Sequence, residues 1–150
     1  MTDEPRALFR TVAFAEAVTW ALLLTGMVLK HVTHTTDLGV QVGGLLHGVV
    51  FLAYVVVTLL VSIDARWSAS RTVMALLAAI PPFLTVVFDL WLERHQPLSA
   101  RWRLRRELAA KSYERLAMWV IRNPLPGLAV GLAAVAGLTV AALVIGPPGA

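Results

Sequence analysis

The sequence predicts an all-α integral membrane protein with four transmembrane helices. The chain is 58% hydrophobic, only 15% of its residues are charged, and four apolar runs are each about as long as a bilayer is thick. A helix needs about 20 residues, at about 1.5 Å rise per residue, to cross a ~30 Å hydrocarbon core. The four runs are Thr11–Leu29, Val42–Ile63, Thr72–Leu92 and Leu125–Ile145.

Each of the first three runs carries an ionisable residue, namely Glu16, His47 and Asp89. Such residues cost free energy in lipid and usually face the bundle interior or a cavity. On a helical wheel each one lies on a stripe with other polar residues, so we expect these stripes to form a buried polar seam. The candidate ligand or proton site consists of Glu16, Lys30, His47, Tyr54, Thr85 and Asp89.

Depth along the predicted helices divides these residues into two groups. If all three runs cross the membrane, His47, Asp89 and Lys30 lie within roughly 8 Å of the same boundary. Glu16 lies nearer the opposite boundary, at about the level of Tyr54. We therefore expect a His47/Asp89/Lys30 cluster and, deeper in the bundle, a Glu16/Tyr54 contact.

The third run contains Pro81 and Pro82, which lack two backbone N–H donors and should kink or locally unwind the helix. The carbonyl groups released near Leu77 and Ala78 need other partners. A static kink is the simpler expectation, because membrane helices commonly tolerate proline. A binding element built on a broken helix is the alternative.

Residues 94–124 form the only long polar connection, and we expect an amphipathic basic surface helix there. Apolar residues recur at helical spacing, and Trp102 and Trp119 suit a membrane interface. A patch of Arg101, Arg103, Arg105 and Arg106 would attract anionic lipid headgroups. Nucleic-acid binding is the alternative, but a basic run beside a transmembrane helix already follows from the positive-inside rule.

The fourth run contains no charge and has Gly127 and Gly131 in a GxxxG pattern. Small residues let helices approach closely, so this run could pack on another copy of the chain or on another membrane protein. The simpler interpretation, that glycine is common in membrane helices, stays open.

Four spans would put nine basic residues on the side of the 93–124 connection and four on the side of both termini. The positive-inside rule then places that connection in the cytoplasm and both termini outside. The charges around the first three runs alone favour the reverse orientation.

Several short motifs in residues 8–93 resemble those of a known bacterial family. They are Phe9-Arg10 before Ala15-Glu16, Leu29-Lys30, Val42-Gly43 with His47-Gly48, Phe51 and Tyr54, and Pro82-Phe83 with Phe88-Asp89. In order and spacing these pieces resemble a small integral membrane domain of unknown function. That family has a Glu in its first helix and a His-Gly dipeptide in its second. The resemblance implies a membrane fold and no particular activity.

The resemblance divides the single membrane domain, residues 1–150, into a family-like core 8–93, the basic segment 94–124 and the C-terminal helix 125–145. It also implies a multi-pass protein of the bacterial plasma membrane. The chain has no cysteine and no G-x-S-x-G motif, so we assign no catalytic residue and expect no enzyme. His31, His34 and Asp37 have a metal-like spacing that a solvated loop explains better, and a haem on His47 would lack a second ligand. We expect neither a metal nor a cofactor.

Two classes of function remain. The first is a non-catalytic accessory or scaffold module whose buried polar residues hold helices together. The second is a proton-linked transporter or permeation unit in which Glu16 and His47 exchange protons with a cargo. Four short helices enclose little space, so transport would require an oligomer or a partner, which favours the first class.

Overall fold

The computed structural model describes residues 4–145, which form six α-helices and one 3₁₀ turn and contain no β-strand. Three of the helices, α1, α2 and α6, are long and apolar enough to cross a membrane. The helices are α1 Pro5–His31, α2 Leu38–Asp64, α3 Ala69–Leu77, α4 Leu84–His95, α5 Ser112–Arg122 and α6 Pro124–Ile145, with the 3₁₀ turn Arg103–Arg105 before α5.

Helices α1 and α2 form the antiparallel pair on which the rest of the chain is built. Their backbones meet where glycines face each other, because a Cβ atom added to Gly26 would overlap the backbone of Gly39. A Cβ added to Gly43 would lie 3.1 Å from Cα of Leu23. We call the end with the first residues of α1 and the last of α2 the Pro5 end, and the opposite end the His31 end.

The third predicted span is not a continuous helix, so three of the four expected transmembrane helices are found among the described residues and the fourth is not confirmed. Helix α3 has only 9 residues and α4 has 12. Between them Pro81 and Pro82 cannot donate to a helical ladder, and Phe83 adopts a left-handed conformation with φ of 66°. The chain reverses direction at this point instead of kinking.

Contacts along α1 show where the reversed chain goes. The indole N–H of Trp20 points at the carbonyl oxygen of Ala79, near the middle of α1, at a long 3.4 Å. Further along α4, Thr85 contacts α1 one turn nearer the Pro5 end, and Asp89 pairs with Arg10. Helices α3 and α4 therefore form a re-entrant hairpin, residues 69–95, that starts and finishes at the Pro5 end.

The connection after the hairpin is also different from the predicted single surface helix. The carboxylate of Asp64, at the end of α2, accepts hydrogen bonds from the backbone N–H groups of Arg103 (3.1 Å) and Leu104 (2.9 Å). Trp102 and Leu104 are fully buried, so this part of the basic run folds inward and helix formation resumes only at Ser112. Helix α5 is amphipathic, with Ala117 and Ile121 buried and Trp119 exposed.

Helix α6 starts beside α5 and packs mainly through its first half on α2. A Cβ on Gly127 would overlap the carbonyl oxygen of Val120, so this glycine serves the tight junction of α5 and α6. Added Cβ atoms at Gly131 and Gly137 would meet no atom within 4 Å. Because α6 runs away from the Pro5 end, Ile145 lies toward the His31 end. Within the described residues, Pro5 and Ile145 lie at opposite ends, and the 93–124 connection lies at the Pro5 end, unlike the arrangement that four spans predicted.

Candidate functional site: a buried polar seam

A carboxyl group lies inside the bundle where α4 meets α1. Glu16 is fully buried, and its Oε2 lies 2.6 Å from Oγ1 of Thr85. Thr85 is also fully buried, and its hydroxyl lies 3.2 Å from the carbonyl oxygen of Ala13. Thr85 reaches α1 because α4 begins directly after the turn of the hairpin, which puts its first helical turn against the middle of the bundle.

The hydrogens available at this contact suit a neutral carboxylic acid. The hydroxyl of Thr85 has one hydrogen and faces two oxygen atoms, one from Glu16 and one from Ala13. If Glu16 carries a proton, its O–H donates to Thr85 and the Thr85 hydroxyl donates to Ala13, so both contacts become hydrogen bonds. An ionised carboxylate would leave one of the two contacts without a hydrogen.

Two oxygen atoms of the seam make no hydrogen bond of normal length and angle among the described residues, although polar groups of Trp20 and Tyr54 lie near them. They are Oε1 of Glu16 and Oγ1 of Thr58, and both residues are fully buried. Buried polar atoms are normally satisfied, so a carboxyl oxygen without a normal hydrogen bond beside a helix break is the feature of the seam that most resembles a functional site.

Tyr54 connects the seam to the other arm of the hairpin. Its hydroxyl donates to the carbonyl oxygen of Ala75 in α3 at 2.9 Å, and its ring packs 5.7 Å from the ring of Phe9. Glu16 and Tyr54 thus lie in one core but bond to different arms, Glu16 to α4 and Tyr54 to α3.

His47 lies between α1 and α2, nearer the His31 end than Glu16 and Tyr54. Its Nδ1 is 3.3 Å from Oγ1 of Thr19, and its ring centre is 4.4 Å from that of Trp20. The ring therefore packs in the α1–α2 contact.

The predicted His47/Asp89/Lys30 cluster does not form. Asp89 is buried at the Pro5 end, where its Oδ2 lies 2.9 Å from Nε of Arg10. Lys30 is at the His31 end and pairs with Asp37 at 3.6 Å. The chain reversal at Pro81 and Pro82 carries Asp89 back toward the Pro5 end, whereas the depth argument had assumed a continuous helix.

The sequence reasoning did not assign Arg10 a partner, yet it lies at the centre of an ion-pair cluster. Besides Asp89 it contacts Glu93, which also pairs with Arg6. This cluster closes α4 onto α1 at the Pro5 end. A signal for it exists in the sequence, since Arg6 and Arg10, and Asp89 and Glu93, are each four residues apart and lie on one face of a helix.

A second network, which we call the end lock, joins α2 to α5 at the Pro5 end. Nε of Arg103 donates to the carbonyl oxygen of Asp64 at 2.6 Å, and another nitrogen of its guanidinium donates to Oε1 of Glu114 at 2.8 Å. The backbone N–H of Ala110 and then that of Lys111 donate to Oε2 of Glu114. These bonds, with Arg103, lower the pKa of Glu114 to about 2.

The end lock changes the interpretation of the predicted basic patch. Arg103 is only 17% exposed and bonds within the protein, whereas Arg101 and Arg106 are exposed. Arg105 is half-buried. The four arginines therefore do not present one uniform surface.

The profile of a family described as "Domain of unknown function (DUF3817)" matches residues 6–94. The chain belongs to the DUF3817 family. The resemblance inferred from residues 8–93 is thereby confirmed. The DUF3817 unit coincides with α1, α2 and the re-entrant hairpin, so the polar seam lies inside it and the end lock joins it to α5.

A relative of this DUF3817 chain is a protein of Streptomyces coelicolor named "Putative membrane protein", which is 51% identical over 87 residues. The match covers 57% of this chain and 10% of that protein, so the chain corresponds to about a tenth of the length of its curated relative. The comparison with solved structures gave no match.

Proposed function

We propose that this DUF3817 chain is a non-catalytic accessory or scaffold module of the bacterial plasma membrane, in which the polar seam holds the hairpin against α1 and α2. One observation carries the proposal. Polar groups of α1 and α2 in the seam form hydrogen bonds with the hairpin: Glu16 bonds to Thr85, and Tyr54 bonds to the carbonyl oxygen of Ala75. Interhelical hydrogen bonds of this kind stabilise membrane bundles by about 0.6 to 2 kcal/mol each.

The length of the Streptomyces relative supports a modular role. The matched segment is 10% of that protein, so a DUF3817 unit can be one part of a larger membrane protein. In this chain the unit is instead followed by α5 and α6. The second half of α6 is largely exposed and Gly137 has open space around it, so this part of the helix offers a surface for a second copy or for another membrane protein.

The distribution of charge supports one orientation in the membrane. Of the 13 Lys and Arg residues, Lys30 alone lies near the His31 end, and the other 12 lie at or near the Pro5 end. By the positive-inside rule the Pro5 end faces the cytoplasm, and both the 32–37 loop and the end of α6 face outward. The hairpin returns the basic segment to the side of the N-terminus. The charges around the first three runs and those of the basic segment therefore favour the same orientation.

A proton-linked transporter or permeation unit is the second candidate. The observation in its favour is Oε1 of Glu16, a buried oxygen that makes no hydrogen bond of normal geometry with the described residues and lies beside a broken helix. A carboxyl group in this setting could bind and release a proton if the hairpin moved. The accessory role ranks first because Oε2 of the same group already bonds to Thr85.

The variant Glu16→Gln distinguishes the two roles. An amide keeps the shape and can donate to Thr85, but it cannot release a proton. We expect the variant to fold, to assemble with the same partners and to restore a deletion strain of the native host, as the wild type does. In liposomes that contain a pH-sensitive dye, wild type and variant should leak protons equally.

A variant that assembles normally but fails to restore the deletion strain, or that abolishes a proton flux measured for the wild type, would overturn the accessory role. Thr139→Val is a matched control, because Thr139 bonds only within α6, to the carbonyl oxygen of Val135.

A further inference from the structure

A groove between α2, α5 and α6 remains open on the outside of the bundle. Its walls are almost entirely apolar and its volume is about 390 Å³. The α2 wall extends from Ala53 to Ile63, and the α6 wall from Gly127 to Val135. Leu116 and Val120 of α5 line the groove near the Pro5 end.

A polar pocket of about 530 Å³ adjoins this groove and shares Ile63 and Tyr113 with it. The charged residues of the pocket are Arg66, Lys111 and Glu114. The carboxylate of Glu114 is already occupied by backbone N–H groups and by Arg103 within the end lock. Arg66 is 57% exposed and its ion pairs are long, 3.5 Å to Glu114 and 3.9 Å to Glu107. Lys111 is exposed, so the pocket presents two cations that can bind an anion.

The groove has the depth of one membrane leaflet. Ten residues of α2 separate Ala53 from Ile63, which is about 15 Å along the helix axis and half of a ~30 Å hydrocarbon core. Tyr113 lies where groove and pocket meet, and tyrosine is typical of the boundary between hydrocarbon and headgroups. The site therefore matches a phospholipid part by part. The apolar groove fits an acyl chain, Tyr113 lies at the boundary, and the cations of the pocket fit the phosphate.

We propose that the pocket and groove together bind one anionic glycerophospholipid, with its phosphate at Arg66 and Lys111 and one acyl chain between α2 and α6. A transmembrane helix from a second copy fits less well, because such a helix crosses both leaflets whereas this groove extends over about 15 Å, the depth of one leaflet. The site does not depend on the accessory role proposed above, since lipid binding requires neither a partner protein nor proton transfer.

Two glycines of α6 provide a matched test of the groove. Gly131 lines it and Gly137 does not, and an added Cβ would meet no atom within 4 Å at either position. The full chain, purified in mild detergent and stripped of lipid, is titrated with phosphatidylglycerol or phosphatidylcholine and examined by native mass spectrometry. We expect preferential binding of phosphatidylglycerol, about a tenfold loss in Gly131→Leu and no loss in Gly137→Leu.

Two double variants that remove the same charge, one inside the pocket and one outside it, test the pocket. The double variant Arg66→Gln, Lys111→Gln should weaken phosphatidylglycerol binding about 25-fold, which corresponds to about 1 kcal/mol per basic residue. The control Arg94→Gln, Arg106→Gln removes the same charge outside the pocket and should leave binding within about twofold. Circular dichroism and elution volume confirm that each variant folds.

Equal losses in the two double variants would overturn the proposal in favour of general attraction to a basic surface. Wild-type binding by Gly131→Leu would exclude an acyl chain from the groove. A dimer in the wild type that Gly131→Leu converts to a monomer, with lipid binding unchanged, would instead identify the groove as an interface between copies of the chain. Each of these results leaves the predictions for Glu16 unaffected.

Discussion

Glu16 stabilises the bundle by bonding to a residue that is far away in the sequence. Its partner Thr85 is 69 residues further along the chain, and the same hydroxyl contacts Ala13. The pair fastens α4 to α1 where the hairpin turns, deep in the bundle. Loss of either side chain should therefore loosen the hairpin before it affects the α1–α2 pair, which is held by close glycine contacts.

A double-mutant cycle of Glu16→Ala and Thr85→Val should reveal this contact. We expect a coupling free energy of about 0.6 to 2 kcal/mol, the range for interhelical hydrogen bonds in membranes. Unfolding in mixed micelles with increasing sodium dodecyl sulfate provides the measurement. Thr139→Val replaces Thr85→Val in the control cycle and should show no coupling, and additive effects for Glu16 and Thr85 would contradict the contact.

Among the glycines of α1 and α2, Gly26 lies closest to the backbone of the other helix. A Cβ there would overlap the backbone of Gly39, whereas a Cβ at Gly48 would meet nothing within 4 Å. Gly26→Ala should lower the free energy of unfolding by about 1 to 3 kcal/mol, as expected for overpacking. Gly48→Ala, the matched control in α2, should be neutral or slightly stabilising. Equal effects of the two variants on the same detergent titration would contradict this helix contact.

At the scale of the element, the hairpin determines the topology of the whole chain. A continuous third span would have delivered residues 94–124 to the His31 end. The turn at Pro81 and Pro82, with Phe83 in the left-handed region, instead returns the chain to the Pro5 end. There Asp64 accepts hydrogen bonds from the backbone of Arg103 and Leu104, a contact that a continuous span would make impossible.

Single-cysteine labelling can test this topology cleanly, because the chain has no cysteine of its own. We expect Ser70→Cys and Ser99→Cys to react from one side of the membrane and Asp37→Cys from the other. In intact cells a membrane-impermeant maleimide should label the Asp37 variant alone if the Pro5 end is cytoplasmic. Labelling of Asp37 and Ser99 from the same side would show a continuous third span and refute the hairpin.

At the scale of the whole molecule, the end lock connects the DUF3817 unit to α5 and α6. Arg103 bonds to Asp64 at the end of α2 and to Glu114 in α5, so one side chain joins the two parts of the chain. The bond from Arg103 to Glu114 is an ion pair and requires the ionised carboxylate. The lock should therefore weaken when this group is protonated.

The sign of the pH dependence follows from the lowered pKa of Glu114. This pKa is about 2 in the folded chain against an ordinary value of 4.5. The stabilisation is complete above pH 4.5 and decreases as the pH falls from 4.5 toward 2. We expect the thermal midpoint to fall over that range in the wild type and to fall less in Glu114→Gln, whose midpoint should already be lower at pH 7. Asp37→Asn is a control at an exposed carboxylate far from the end lock, and parallel curves for wild type and Glu114→Gln would contradict the role of Glu114.

The sequence by itself determined the helical class, the family and the burial of four of the six candidate seam residues. Long apolar runs have one stable form in lipid, because a helix satisfies its own backbone hydrogen bonds. Helices α1, α2 and α6 follow the first, second and fourth predicted runs, and Glu16, Tyr54, Thr85 and Asp89 are buried as their wheel positions indicated.

The tertiary structure alone decided the direction of the chain after Ala78 and hence the partners of the polar residues. Hydropathy depends on the polarity of side chains and is the same for a segment that crosses the membrane and for one that enters and returns. The two prolines indicate that a helix ends, but the left-handed Phe83 and the pairing of Asp89 with Arg10 arise from contacts between residues that are remote in sequence. Those contacts place Asp89 near Arg10, far from Lys30, because packing against α1 selects the return path.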